Sequence, residues 1–100
     1  MTTVRIRQSD TDGIADVIES GHNFNGSALT GCRSNGKYVL KSYDEPIAVL
    51  DMDARTATLT TREWSLSTSK HQTYARRILQ AMHLDFIETP KRLSMSGESY

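Results

Sequence analysis

Between Ser67 and His83 the chain reads STSKHQTYARRILQAMH, and its apolar and polar positions separate at a helical period. At about 100° per residue, His71, Ala75, Ile78 and Met82 fall on one side, while Lys70, Thr73, Arg77 and Gln80 fall on the other. The spacing predicts an amphipathic helix over residues 68–83, with one face turned to a core and a cationic face turned out.

Other stretches carry weaker periods. Thr3, Arg5 and Arg7 alternate with Val4 and Ile6, which suits a short strand or an extended arm. Ser9, Asp10, Thr11 and Asp12 then supply capping oxygens and negative charge ahead of Ile14, Val17 and Ile18. A short helix over residues 10–20 is expected, ended by Gly21. Residues 21–36 hold Gly21, Gly26, Gly31 and Gly36 with several Asn and hydroxyl side chains, and only Phe24 and Leu29 as large apolar groups. That composition predicts a long Gly/Asn/Ser-rich loop anchored by Phe24.

Beyond Gly36 the period becomes two. Strands are expected over residues 38–43, 46–52 and 56–61, with an Asp44-Glu45 turn and a second turn near 53–55. Pro46 sits where a strand tolerates proline, at its first residue. Leu40, Ala48, Leu50, Met52 and Leu59 are the inward candidates. A three-stranded sheet needs a cover, and the 68–83 helix is the available one. The expected fold is therefore α+β: a short helix, a three-stranded antiparallel meander and a C-terminal amphipathic helix packed on the sheet. One domain is expected over residues 1–88, with Leu84, Phe86 and Ile87 finishing its core and a disordered tail over 89–100.

Charge and size narrow the chemistry. One hundred residues suit one domain with a modest core and no deep enclosed active site. Lys plus Arg and Asp plus Glu both number 12, so any case for nucleic-acid binding must come from local charge. A single cysteine, Cys32, forbids an internal disulfide and fits a reducing cytosol. The longest aliphatic run, residues 47–50, is too short for a membrane span, and a soluble intracellular protein is expected.

Two resemblances follow from motifs. The order helix, three strands, helix, with Ser69-Lys70 opening the last helix, is similar to the double-stranded-RNA-binding domain, which presents lysines to phosphates. His71-Gln72 depart from that pattern, where the family shows further lysine. Ser42-Tyr43-Asp44-Glu45-Pro46-Ile47-Ala48 and Ser67-Thr68-Ser69-Lys70-His71-Gln72 resemble segments of small actinobacteriophage proteins of unknown function. That resemblance covers residues 38–77 and implies a phage gene product working in a bacterial cytoplasm, without assigned catalytic residues.

Enzyme signatures are weak. The start, Val4-Arg5-Ile6-Arg7 and an acidic helix, looks a little like acetyltransferases that use acetyl coenzyme A, but the turn before the later helix lacks the glycines that cradle pyrophosphate. His71 lies on the inward stripe, where a neutral imidazole would bond a backbone carbonyl or the hydroxyl of Ser42, Tyr38 or Tyr43. His22, Cys32, His71 and His83 lack the close paired spacing of a zinc site, so no metal and no cofactor are expected. Asp51 and Asp53 read as turn residues, and Cys32 beside Arg33 has no base to activate it.

The resulting expectation is a non-enzymatic phage accessory protein that binds a host or phage macromolecule. Nucleic acid is the sharper reading, through Lys70, Arg76 and Arg77 with Arg62 and Lys41. A protein-interaction module acting on a host bacterial protein through Trp64, Phe24 and the 21–36 loop is the alternative. A homodimer through the sheet edge or the Trp64 surface fits either.

Overall fold

Strands form at more places than the hydrophobic pattern marks. The computed structural model describes residues 2–62 and 66–93. In chain order the elements are β1 (Thr3–Arg5), α1 (Thr11–Glu19), β2 (Asn23–Gly26), β3 (Leu29–Ser34), β4 (Lys37–Ser42), β5 (Glu45–Asp51), β6 (Thr56–Thr60), α2 (Leu66–Ala81) and β7 (Asp85–Thr89). All seven strands join one sheet in chain order. The three-stranded meander is corrected accordingly: β4 to β6 are the middle of a mixed sheet, and α2 is a crossover between two strands rather than the last element.

The sheet is antiparallel from β2 to β6 and parallel at both edges, where α1 connects β1 to β2 and α2 connects β6 to β7. Parallel neighbours require such a crossover. Both crossovers leave strands that point the same way and step the same way along the sheet. Two crossovers of the usual right hand therefore put both helices on one face, and α1 packs on α2 there.

The predicted 21–36 loop is also corrected. Its residues pair as β2 and β3, with Phe24 opposite Gly31 and Asn25 opposite Thr30. Gly31 explains how a segment so poor in apolar side chains holds a core position. A Cβ there would lie 2.3 Å from the Phe24 ring and 2.8 Å from the Tyr38 ring, so the missing side chain is the space those rings fill.

Between sheet and helices lies the main core, including Ile14, Ile18, Phe24, Tyr38, Leu40, Leu50, Leu59, Ile78 and Leu79. Each such side chain contributes roughly 1.5–3 kcal/mol on burial. Asp10 caps α1 by accepting from the Gly13 N–H at 3.1 Å, and Gly21 leaves the helix at φ +82°. On α2 the inward residues are Thr68, His71, Gln72, Ala75, Ile78 and Leu79, with Met82 buried just beyond its end. Lys70, Thr73, Arg77 and Gln80 are exposed, as the helical projection predicts.

The face away from the helices carries a smaller cluster of Val39, Val49 and Leu93. Residues 89–93 of the expected tail belong to the fold: Thr89 ends β7, the Lys91 carbonyl accepts from Thr60 at 2.8 Å, and Leu93 is buried, while residues 94–100 lie outside the described residues. Leu84 is buried and Phe86 packs against the main core, whereas Ile87 is 68 % exposed. Among the described residues no helix is long and apolar enough to cross a membrane.

Candidate functional site

The direction of the strands gathers functional groups at one end. β1, β2, β4, β6 and β7 all terminate there, and α1 and α2 both begin there. The β2–β3 turn, the β4–β5 turn and the segment after β6 close the same end.

A buried polar chain sits at its centre. Leu29 donates its backbone N–H to Gln8 Oε1 at 3.1 Å, which fixes the amide with its amino group turned toward His71. Gln8 Nε2 lies 3.4 Å from His71 Nε2. An amino group donates, so His71 Nε2 must carry a lone pair. The proton then sits on Nδ1, which donates to Ser42 Oγ at 2.5 Å. His71 is 2 % exposed and Ser42 fully buried. Burial, and then the Lys70 charge, hold the His71 pKa below its ordinary value of 6.5, in keeping with a neutral ring. Ser42 is among the partners its sequence position allows, but as a fully buried hydroxyl it presents no nucleophile to a substrate.

Over this chain lies Tyr43, 58 % exposed, its ring centroid 5.8 Å from that of His71 and tilted by 50°. Tyr43 adopts φ +52°, and its backbone N–H donates to the Ala28 carbonyl at 2.8 Å. At the same end a groove of about 540 Å³ is lined by Arg5, Arg7, Gln8, Asn25 and Ser27. Gln8 thus joins the groove floor to the buried imidazole.

Ion pairing decides which cations remain available. Of twelve cationic side chains, Lys37 pairs with Asp51 at 2.8 Å, Arg55 with Glu19 at 2.6 Å and Arg92 with Glu45 at 2.6 Å, while Arg76 pairs with Glu88. The Lys37 ammonium also holds the Asp51 carboxyl below its ordinary pKa. Eight cations make no ion pair with another described residue: Arg5, Arg7, Lys41, Arg62, Lys70 and Lys91 lie at the carboxyl end, while Arg33 lies at the opposite end and Arg77 further along α2. Asp10, Asp12 and Asp44 are the exposed acids nearby, and Asp10 is engaged as the α1 cap.

The sequence-predicted residues are distributed unevenly. Lys70 is exposed, with its ammonium 5.8 Å from the Tyr74 ring centroid, and Arg77 is exposed two turns along the same face of α2. Arg62 is exposed just beyond β6, where its carbonyl accepts from the buried Gln72 amide at 2.7 Å. Arg76 is turned to Glu88 of β7 and neutralised there. Lys41 lies across the sheet from α2, in the cross-strand row Arg5–Asn25–Thr30–Lys41. One helix face therefore does not unite these five cations. Phe24 is 1 % exposed and belongs to the core, so it is not a partner-binding side chain. Trp64 lies outside the described residues.

Arg5, Arg7, Gln8 and Tyr43 are additions that sequence reasoning passed over. The available signal was two cations two apart with no acid between them, followed by a lone amide. Among the described residues no group of three His, Cys, Asp or Glu converges as a metal site. At the opposite end a cavity of about 330 Å³ contains Arg33 and Lys37, but Asp53 and the Lys37–Asp51 pair offset their charge.

The model of DUF8033, a family of unknown function, matches residues 14–80. The chain belongs to DUF8033. In this member the matched segment runs from the first buried residue of α1 to the end of α2, so it contributes Asn25, Ser27, Tyr43 and Lys70 to the site. Gln8 and the two arginines of β1 and its extension precede that segment. No curated protein and no solved structure matches the chain.

Proposed function

We propose that this DUF8033 member is a non-enzymatic nucleic-acid-binding accessory protein that contacts phosphates through the carboxyl end of its sheet. One observation carries the reading. Arg5, Arg7, Arg62 and Lys70 stay exposed and unpaired with any described residue at a single rim, whereas Lys37, Arg55 and Arg76 away from it are paired with carboxylates and only Arg33 and Arg77 there are not. Such a cluster displaces condensed counterions from a phosphate backbone. The resemblance of residues 38–77 to small actinobacteriophage proteins supports a phage gene product acting in the bacterial cytosol as the setting.

This interface revises the expected one. Arg76 leaves it because of Glu88, and Arg5 and Arg7 enter it. A protein-binding role through the 21–36 segment has less support, because that segment is a paired hairpin with Phe24 inside.

Fluorescence anisotropy with a labelled oligonucleotide over a salt series tests the reading. Four phosphate contacts give a log–log slope of about −3. Charge reversal at Arg7 and Lys70 should remove most binding, while Arg76→Gln should leave it unchanged. Salt-independent binding, or equal affinity after R7E/K70E, would overturn the assignment.

A further inference from the structure

We propose that the rim takes single-stranded rather than duplex nucleic acid, with Tyr43 as the platform on which a base stacks. The inference rests on the phosphate-binding reading above and adds the state of the strand that is recognised. Tyr43 is the only exposed large aromatic ring among the described residues, and it stands at the end where the unpaired cations collect. Three features fix it in place. Its backbone turns at φ +52°, its N–H is tied to Ala28, and one side of the ring rests on the buried His71. An aromatic group held this way loses little freedom when a base covers its open side.

The unpaired cations share the end of the sheet at which that ring stands. Gln8 and Tyr43 both contact His71, and Arg7 and Lys70 are the exposed cations next in sequence to Gln8 and His71. From Arg7 the groove continues through Arg5 and Asn25, and the cross-strand row extends it through Thr30 to Lys41. At about 4.8 Å between strands, Arg5 and Lys41 stand roughly 14 Å apart. The row thus carries cations along its length with hydroxyl and amide groups between them, and Tyr43 stands in the turn two residues beyond Lys41. A flexible strand with splayed bases follows such a track. A duplex keeps its bases stacked and turned inward, which leaves Tyr43 without a partner.

The experiment compares three labelled probes on the intact protein at one salt concentration. These are a single strand of about 12 nucleotides, within common site sizes, its duplex, and an abasic strand with the same number of phosphates. The single strand should bind about tenfold more tightly than either of the others, the size expected from one base–aromatic stack. Tyr43→Ala should cost the base-bearing strand a similar factor and leave the abasic strand unaffected, with Tyr43→Phe restoring wild-type affinity. The wild-type comparison of base-bearing and abasic strands needs no variant, so a Tyr43→Ala protein that fails to fold does not blunt the test. Equal binding of the single strand and the abasic strand, or of single strand and duplex, overturns the stacking inference while the phosphate reading stands. Absence of salt-sensitive binding to all three probes overturns both.

Discussion

Replacing Gln8 by Leu keeps most of the side-chain volume and removes both hydrogen-bonding ends at once. The Leu29 N–H loses its acceptor at 3.1 Å, and His71 Nε2 loses the amide at 3.4 Å. Leu29 is fully buried and His71 2 % exposed. A buried polar group left unpaired costs about 1–3 kcal/mol. Gln8 itself is only half-buried and lines the open groove, so water can reach one of the two orphaned groups. The net loss is therefore about 2 kcal/mol, near the bottom of the summed range. For a domain of this size that lowers the melting temperature by roughly 8–16 °C. Urea or thermal unfolding reads the loss, and long-range 15N–1H correlation of the imidazole reads its cause. The wild-type ring should carry its proton on Nδ1. A wild-type ring protonated at Nε2, or a Gln8→Leu protein as stable as its parent, would show that the amide does not orient His71.

The same site sets a pH dependence. In the unfolded chain His71 takes up a proton near pH 6.5, whereas burial and the Lys70 charge hold the native pKa lower. Stability contributed at neutral pH is therefore present above about 6.5 and drains away as pH falls from there toward the native pKa. Urea midpoints at neutral and mildly acidic pH should differ more for the wild type than for His71→Gln, and an identical pH response in both would refute the linkage. Separately, Gly31→Ala forces a methyl group into the Phe24 and Tyr38 rings and should cost about 1–3 kcal/mol. Adding Phe24→Leu should recover part of that cost, so strictly additive losses in the double variant would argue against the ring contact.

Helix faces were the most legible part of the sequence. The α2 projection places Ala75, Ile78 and Met82 inside and Lys70 and Arg77 outside, and Gly21 marks the end of α1. The strands β4, β5 and β6 show in the alternation because they bury long aliphatic rows of their own. By contrast, β2 and β3 are nearly invisible, because the apolar volume over Gly31 is supplied by Phe24 and Tyr38 from the neighbouring strands. The parallel edges β1 and β7 are set by crossovers, which local patterning does not encode. The site inherited those gaps. Lys70 and Arg62 are readable as exposed cations, but the loss of Arg76 to Glu88 depends on β7 lying beside β6. Gln8 carries no motif, and its role exists only once the end of β1 is brought against α2.

Because the strands stand in the sheet in the same sequence in which they are synthesised, each new one adds to a neighbour already made. Assembly on the ribosome can then proceed strand by strand without waiting for distant partners, a topology that favours rapid folding. The meeting of α1 with α2, and of Gln8 with His71, comes only after α2 has emerged. A nascent chain stalled before α2 would therefore hold most of its sheet while Gln8 still lacked His71 and the carboxyl end stayed incomplete.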